Sequence, residues 1–235
     1  MIDFIWKNEK ATEHGIVVAS LPPISKAEKN VEIIEIDGRD GDIIIEKGFK
    51  SYDKEVEIGL ARNYDLNWLM NWLDGTDKVT FSDEENVFYN ATIIEQIDFE
   101  KLLSFKTAKI KFHVQPFKYL NNESKVVQSF SSTSEKKVVV NNLGLINSKP
   151  IITIYGTGTI NLSVNGTQCC ILELTDESDY ITLDSIQEEA FQDNLQTLRN
   201  RNMNGAFPVL KSGENEITWT GNITKIEILP KSRWL

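Results

Sequence analysis

Cysteine and histidine are nearly absent from this chain of 235 residues, with two of each. The cysteines, Cys169 and Cys170, are adjacent. Successive side chains of a strand point to opposite faces, so a bridge between them would be strained. Free thiols made in a reducing cytoplasm are expected. The histidines, His14 and His113, lie far apart with no cysteine near either, which excludes the ligand spacings of zinc sites. No Gly-x-Ser-x-Gly elbow, P-loop or Gly-x-Gly-x-x-Gly fingerprint occurs. No apolar run reaches the roughly 18 residues of a membrane span. The first residues, Met1-Ile2-Asp3-Phe4-Ile5-Trp6, lack the basic stretch and apolar run of a signal peptide. Basic charge is short as well: 25 Lys and Arg stand against 35 Asp and Glu, a net −10. An acidic chain lacks the footprint that neutralises phosphates, so a dedicated nucleic-acid binder is not expected. A wall that DNA slides past without sticking is compatible with that charge.

What is present is a globular composition, 40% hydrophobic and 26% charged, in a chain long enough to bury about 70% of its unfolded surface. The dominant period is two. Val31–Ile36 reads as a strand, Asp37-Gly38-Arg39-Asp40-Gly41-Asp42 as a turn, and Ile43–Ile45 as the return. Ser51–Leu60, Val79–Ser82, Val87–Ile97 and Lys106–Val114 are further strand candidates. One helix interrupts them. Asn63-Tyr64-Asp65 offers a cap, Leu66, Leu69, Met70 and Leu73 recur at helical spacing, and Gly75 follows the end. Trp68 and Trp72 lie four apart on an adjoining flank, where they either anchor an interface or cover their own domain.

Lys118–Lys137 is polar and rich in Ser and Asn, the composition of a linker. Beyond it Val138–Val140, Ile151–Tyr155, Thr159–Val164, Gln168–Glu173, Tyr180–Leu183, Glu216–Trp219 and Lys225–Leu229 read as short strands. Gly156-Thr157-Gly158 and Asn165-Gly166 read as hairpin turns between them. Such a series predicts a β-sandwich or jelly roll. Residues 185–200 admit two readings. Ser185-Ile186-Gln187-Glu188 is a capping box that could open a helix. The alternative is a hairpin, Tyr180–Asp184 returning as Glu189–Gln192, followed by an irregular loop.

Catalytic readings find little support. Asp37–Asp42 lacks the alternating ligands and spaced Glu of a calcium loop. Nothing selects a glycosidase pair among 35 acidic residues. Tyr155, Tyr180 and Trp219 could stack on a sugar ring, but aromatics in such strands usually form the core. No catalytic residue, cofactor or metal is expected.

Several motifs in order resemble the distal tail protein (Dit) family of long-tailed phages of Gram-positive hosts. They are Gly38-Arg39-Asp40-Gly41 followed by Gly48-Phe49-Lys50; the helix Leu66–Leu73 ending in Asp74-Gly75; and Phe112-His113-Val114-Gln115-Pro116-Phe117-Lys118-Tyr119. Asn142–Gly144, Lys149–Gly158, Met203–Leu210 and Ser212–Ile217 complete the series. The resemblance covers nearly the whole chain. It implies a mainly β protein with an α+β N-terminal part. An N-terminal ring-forming belt domain, 1–120, would be joined through a linker, 121–136, to a C-terminal galectin-like or jelly-roll β-sandwich, 137–235. The last residues, Pro230–Leu235, are expected to pack rather than fray. The implied role is that of a structural hub in the virion: a homo-hexameric ring joining the tail-tube protein to the tail-associated tip protein, with receptor-binding or other baseplate proteins as neighbours. DNA would pass through its channel without specific binding, and no membrane would be involved. Arg39, Asp40, Trp68 and Trp72 are the candidate oligomer-interface residues. The resemblance also favours the hairpin at 180–192. A different reading remains open, a carbohydrate-binding or hydrolytic module that recognises a bacterial surface polysaccharide through the sandwich.

Overall fold

The computed structural model describes residues 2–61, 64–98, 107–131, 135–175, 179–193 and 197–235. Asn63, Lys106 and residues 132–134 of the expected linker lie outside them. The chain divides into two compact units, one running to Asn121 and one from Asn122.

The first unit contains β1 (Phe4–Trp6), β2 (Glu9–Lys10), β3 (Ile16–Ser20), β4 (Lys29–Glu35), β5 (Asp42–Phe49), β6 (Tyr52–Leu60), the helix α1 (Leu66–Trp72), β7 (Gly75–Phe81), β8 (Val87–Ile93) and β9 (Ala108–Leu120). Its main sheet runs β2-β1-β7-β8-β9-β6-β3, with antiparallel neighbours throughout. The period-two pattern explains the layering. Val56 and Ile58 of β6 and Ala108, Ile110, Phe112 and Val114 of β9 face the core. The residues between them face outward and pair across the strands: Lys109 Nζ lies 3.2 Å from Glu55 Oε2, and His113 Nδ1 lies 2.7 Å from Asp53 Oδ1. The helix starts where Asp65 Oδ1 accepts a hydrogen bond from the Trp68 amide at 3.1 Å. It packs onto the sheet through Leu69 and Trp72.

In the second unit, β10 (Val126–Ser129), β11 (Lys137–Asn142), β12 (Ile151–Val164), β13 (Thr167–Leu174), β14 (Tyr180–Asp184), β15 (Glu189–Gln192), β16 (Thr197–Leu198), β17 (Met203–Gly205) and β18 (Gly213–Leu229) form one curled antiparallel system. Two long strands organise it. The first half of β12 pairs with β14 and with the second half of β18; its second half pairs with β13 and with the first half of β18. Each long strand therefore belongs to both layers, and the layers enclose one core of Ile152, Ile154, Ile160, Leu162, Leu172, Leu183, Ile217, Ile226 and Ile228. Gly156-Thr157-Gly158 is consequently not a hairpin turn. It is an irregularity inside β12, where the register shifts. A Cβ on Gly156 would lie 2.2 Å from the Asn222 carbonyl oxygen, and one on Gly221 would lie 2.4 Å from that of Thr159. The two backbones touch at the bend, which only glycine permits. Asn165-Gly166, by contrast, is a true turn between β12 and β13, with φ of 51° and 78°.

Residues 180–192 form the hairpin rather than the helix. Asp184 Oδ1 accepts from the amides of Ile186 and Gln187, at 2.9 and 3.1 Å, and so closes the turn at 185–188. Within the segment expected as a linker, Val126–Ser129 pairs with Lys225–Ile228 as an edge strand. Two fully buried asparagines brace the loops. Asn142 Nδ2 donates to the carbonyls of Ile146 and Lys211, and its Oδ1 accepts from the Gly144 amide. Asn215 donates to the carbonyls of Lys211 and Gly213, and accepts from the Lys211 amide and Asn165. The motif stretches 142–144 and 212–217 thus carry structural polar braces.

Candidate functional site

Among the described residues of the first unit, a run of exposed isoleucines gathers on the ribbon β4–β5. The two strands pair only with each other. Ile33 faces Ile44, Ile34 faces Ile43, and Ile45 lies opposite Glu32. Alternation then places Val31, Ile33 and Ile44 on one face and Ile34, Ile36, Ile43 and Ile45 on the other. Ile33 is 57% exposed and Ile44 62%. Single exposed apolar residues are ordinary, but a contiguous set on both faces of an isolated hairpin marks a contact surface. Lys47 reaches Glu32 at 2.6 Å, and Lys29 pairs with Glu46 across the strands. These exposed pairs contribute little to stability and leave the isoleucines uncovered.

Arg39 and Asp40, candidates from the sequence, occupy the exposed turn at the ribbon's tip, where the Arg39 amide donates to the Ile36 carbonyl at 3.1 Å. The isoleucines beneath them were missed by the sequence reading. Their signal was available: Ile33-Ile34 and Ile43-Ile44-Ile45 break the alternation of a one-sided strand and read as strands covered on both faces.

Trp68 and Trp72 separate. Trp72 is 5% exposed and belongs to the core, with its ring 6.0 Å from Phe4 and its carbonyl accepting from Trp6 Nε1 at 2.8 Å. Trp68 is 36% exposed, stacked on His14 at 3.8 Å and on Trp72 at 5.5 Å. One face of Trp68 is therefore taken by its own unit, and Trp72 presents no ring to a partner.

A buried polar cluster lies on the same sheet. The Lys54 ammonium sits 4.8 Å from the centre of the Tyr89 ring and donates to the Pro23 carbonyl at 3.2 Å. Its burial pushes the ammonium's pKa down. Glu84 pairs with Lys118 and accepts from the Tyr89 hydroxyl at 2.7 Å. Burial opposes its charge, but those two partners outweigh burial and hold the carboxyl below the usual carboxylate range. Burial and then Glu84 push the Tyr89 phenol up. The Tyr52, Phe81 and Tyr89 rings surround the Lys54 ammonium, which suits a structural role.

In the second unit, Trp219 is 5% exposed and meets Phe130 edge-on at 4.7 Å. Tyr155 stacks on Tyr180 at 5.2 Å, and Lys225 Nζ lies 3.9 Å from the Tyr155 centroid, over its face. An open concavity of about 410 Å³ beside Trp219 is lined by Phe130, Lys136, Thr157 and Asn222. Lys136 and Asn222 already bond to the Gly221 carbonyl and to Thr157 there. Among the described residues no three His, Cys, Asp or Glu side chains converge as metal ligands, and no helix is long and apolar enough to cross a membrane.

These features define a two-unit antiparallel β protein whose prominent surface is an apolar ribbon. The fold is that of the distal tail proteins. The chain superposes on the SPP1 Dit protein, described as a paradigm of the hub adsorption apparatus in phages infecting Gram-positive hosts, with a TM-score of 0.69 and 17% identity over 100% of both chains. Chains of the phage p2 baseplate in its activated conformation, with Sr and with Ca, give TM-scores of 0.56 and 0.51, each at 10% identity over 97% of both chains. At these identities the likeness is one of fold. No protein-family model and no curated protein matches the sequence.

Proposed function

We propose that this protein is a distal tail protein, a structural hub of a phage tail tip. The observation that carries the reading is the whole-chain fold match, which covers both units of this chain and all of the SPP1 Dit chain. In this reading the first unit, 1–120, assembles as a hexameric ring between the tail-tube protein and the tail-associated tip protein. The sandwich, 137–235, lies outside and meets other baseplate proteins. The protein then belongs to the virion, is made in the host cytoplasm, and works without catalysis.

The physical properties of the first unit support this role. A ring interface is heterologous, so one surface must meet a different surface of the next copy. The ribbon β4–β5, with Arg39 and Asp40 at its tip, supplies one such surface, and the exposed side of Trp68 is a candidate for another. An acidic wall repels DNA and lets it slide, and residues 1–117 carry a net −8. The same charge opposes bringing six copies together, so salt that screens over about 8 Å favours assembly.

Negative-stain imaging of the purified protein at high concentration and raised salt tests the reading. Closed six-fold rings are expected, formed also by fragment 1–120. A monodisperse monomer under all conditions, even with tube and tip proteins present, or rings formed by the sandwich alone, would refute it.

A further inference from the structure

The two thiols of the chain are brought together by a bulge. Strands β12 and β13 pair in register as far as Leu162 opposite Cys170 and resume at Ser163 opposite Gln168. Cys169 is therefore the extra residue, without a partner on β12. The bulge breaks the alternation of a regular strand, which would have sent the two side chains to opposite faces. Instead Cys169 Sγ lies 3.9 Å from Cys170 Sγ and 3.2 Å from the Leu162 carbonyl oxygen. The sequence reading of two diverging side chains fails here because alternation holds only where the ladder is regular.

The surroundings hold this arrangement. β17 pairs along the other side of β13, with Gly205 opposite Cys170 and the Ala206 amide donating to the Cys169 carbonyl at 2.8 Å. A Cβ on Gly205 would stand 2.5 Å from that carbonyl oxygen, so the backbones are in direct contact. Cys170 is buried and Cys169 is half-buried, which leaves one thiol of the pair open to approach. The contact with Cys170 lowers the Cys169 thiol's pKa, while that same contact and burial raise Cys170's. Cys169 is thus the thiol that reacts first.

We propose that Cys169 and Cys170 form a bidentate dithiol site for one soft, thiophilic centre of the trivalent-arsenic class. Joining the two sulfurs directly would require them to close from 3.9 Å to about 2.05 Å within a strand held on both sides. A bridging atom spans the gap with less movement. With an organic arsenoxide the step is a condensation. Two As–S bonds form, two S–H bonds and the As–O bond break, and the oxygen leaves as water with both thiol protons. No oxidation state changes. Cys169 makes the first bond and Cys170 closes the chelate.

The test uses phenylarsine oxide on the native full-length protein, read by native mass spectrometry during competition with a monothiol. One arsenical per chain is expected. It should survive a monothiol concentration on the order of 100-fold above that which strips the Cys169→Ala and Cys170→Ala chains, the gain of a second intramolecular ligand. Cys169→Ala serves even if Cys170→Ala disturbs the core, because the Cys169 side chain is only half-buried. Release from the wild-type chain at the same monothiol concentration as from Cys169→Ala, or binding confined to urea-unfolded protein, would overturn the proposal.

Discussion

Replacing Ile33 and Ile44 together by threonine separates the ribbon's role in assembly from its role in folding. The two residues are cross-strand partners, and threonine keeps the β-branched shape that a strand favours. They are 57% and 62% exposed, so less than half of each side chain is covered within the chain itself. Full burial of an isoleucine stabilises by about 1.5–3 kcal/mol, so the folding cost of each change is about 1 kcal/mol or less. For a chain of this length that lowers Tm by about 2–4 °C per kcal/mol. In the proposed assembly the remaining surface is what a neighbour would cover. Losing apolar atoms and burying two hydroxyls there costs about 2–3 kcal/mol per ribbon. The association constant should then fall roughly 30- to 150-fold. Sedimentation velocity over a concentration series at fixed salt reads the association constant, and a thermal melt reads the folding cost. Unchanged association would refute the ribbon as an assembly surface. A drop in Tm of more than about 10 °C would show that it supports its own unit instead.

Glu84→Gln should cost about 2–3 kcal/mol at pH 7, because it leaves the partly buried Lys118 without its charge partner. Since the folded carboxyl is held below its unfolded value of about 4.3, this contribution is fully present above that pH and is lost as pH falls through the folded value. Thermal midpoints of wild type and variant should converge toward pH 2; a constant gap would contradict the assignment. Asn215→Ala strips partners from three backbone groups, the Lys211 amide and the Lys211 and Gly213 carbonyls, and from Asn165, and should lower the unfolding free energy by about 2–4 kcal/mol in urea titration, whereas a change under about 0.5 kcal/mol would deny it a bracing role. Two versions of the second unit, starting at residue 122 and at residue 137, should differ in Tm by about 10 °C or more, because only the longer keeps β10 on β18 and Phe130 on Trp219. Equal stability would make residues 122–136 a linker in energetic terms.

Local pattern was enough for much of the architecture. The cap at Asp65 and the spacing of Leu66, Leu69 and Leu73 placed α1, because a helix start needs an acceptor for its first amides and a helix face needs a 3.6 period. Alternation placed β6 and β9, and Asn165-Gly166 placed its turn, because both express backbone dihedrals that nearest neighbours set. The second group of observations depends on what lies across the sheet. Gly156 and Gly221 carry the composition of turns, yet they are contact points between two strands far apart in sequence. Trp68 and Trp72 share one helix flank, but only the sheet beneath decides that Trp72 is covered and Trp68 stands at its margin. Cys169 and Cys170 meet because β12 lacks a residue opposite the bulge, which no spacing within β13 records. The isoleucines of the ribbon read as buried residues and are exposed. Period specifies which side chains share a face, whereas solvent or contact on that face is settled by the long-range pairing of strands, and for this ribbon no strand of the described chain supplies the cover.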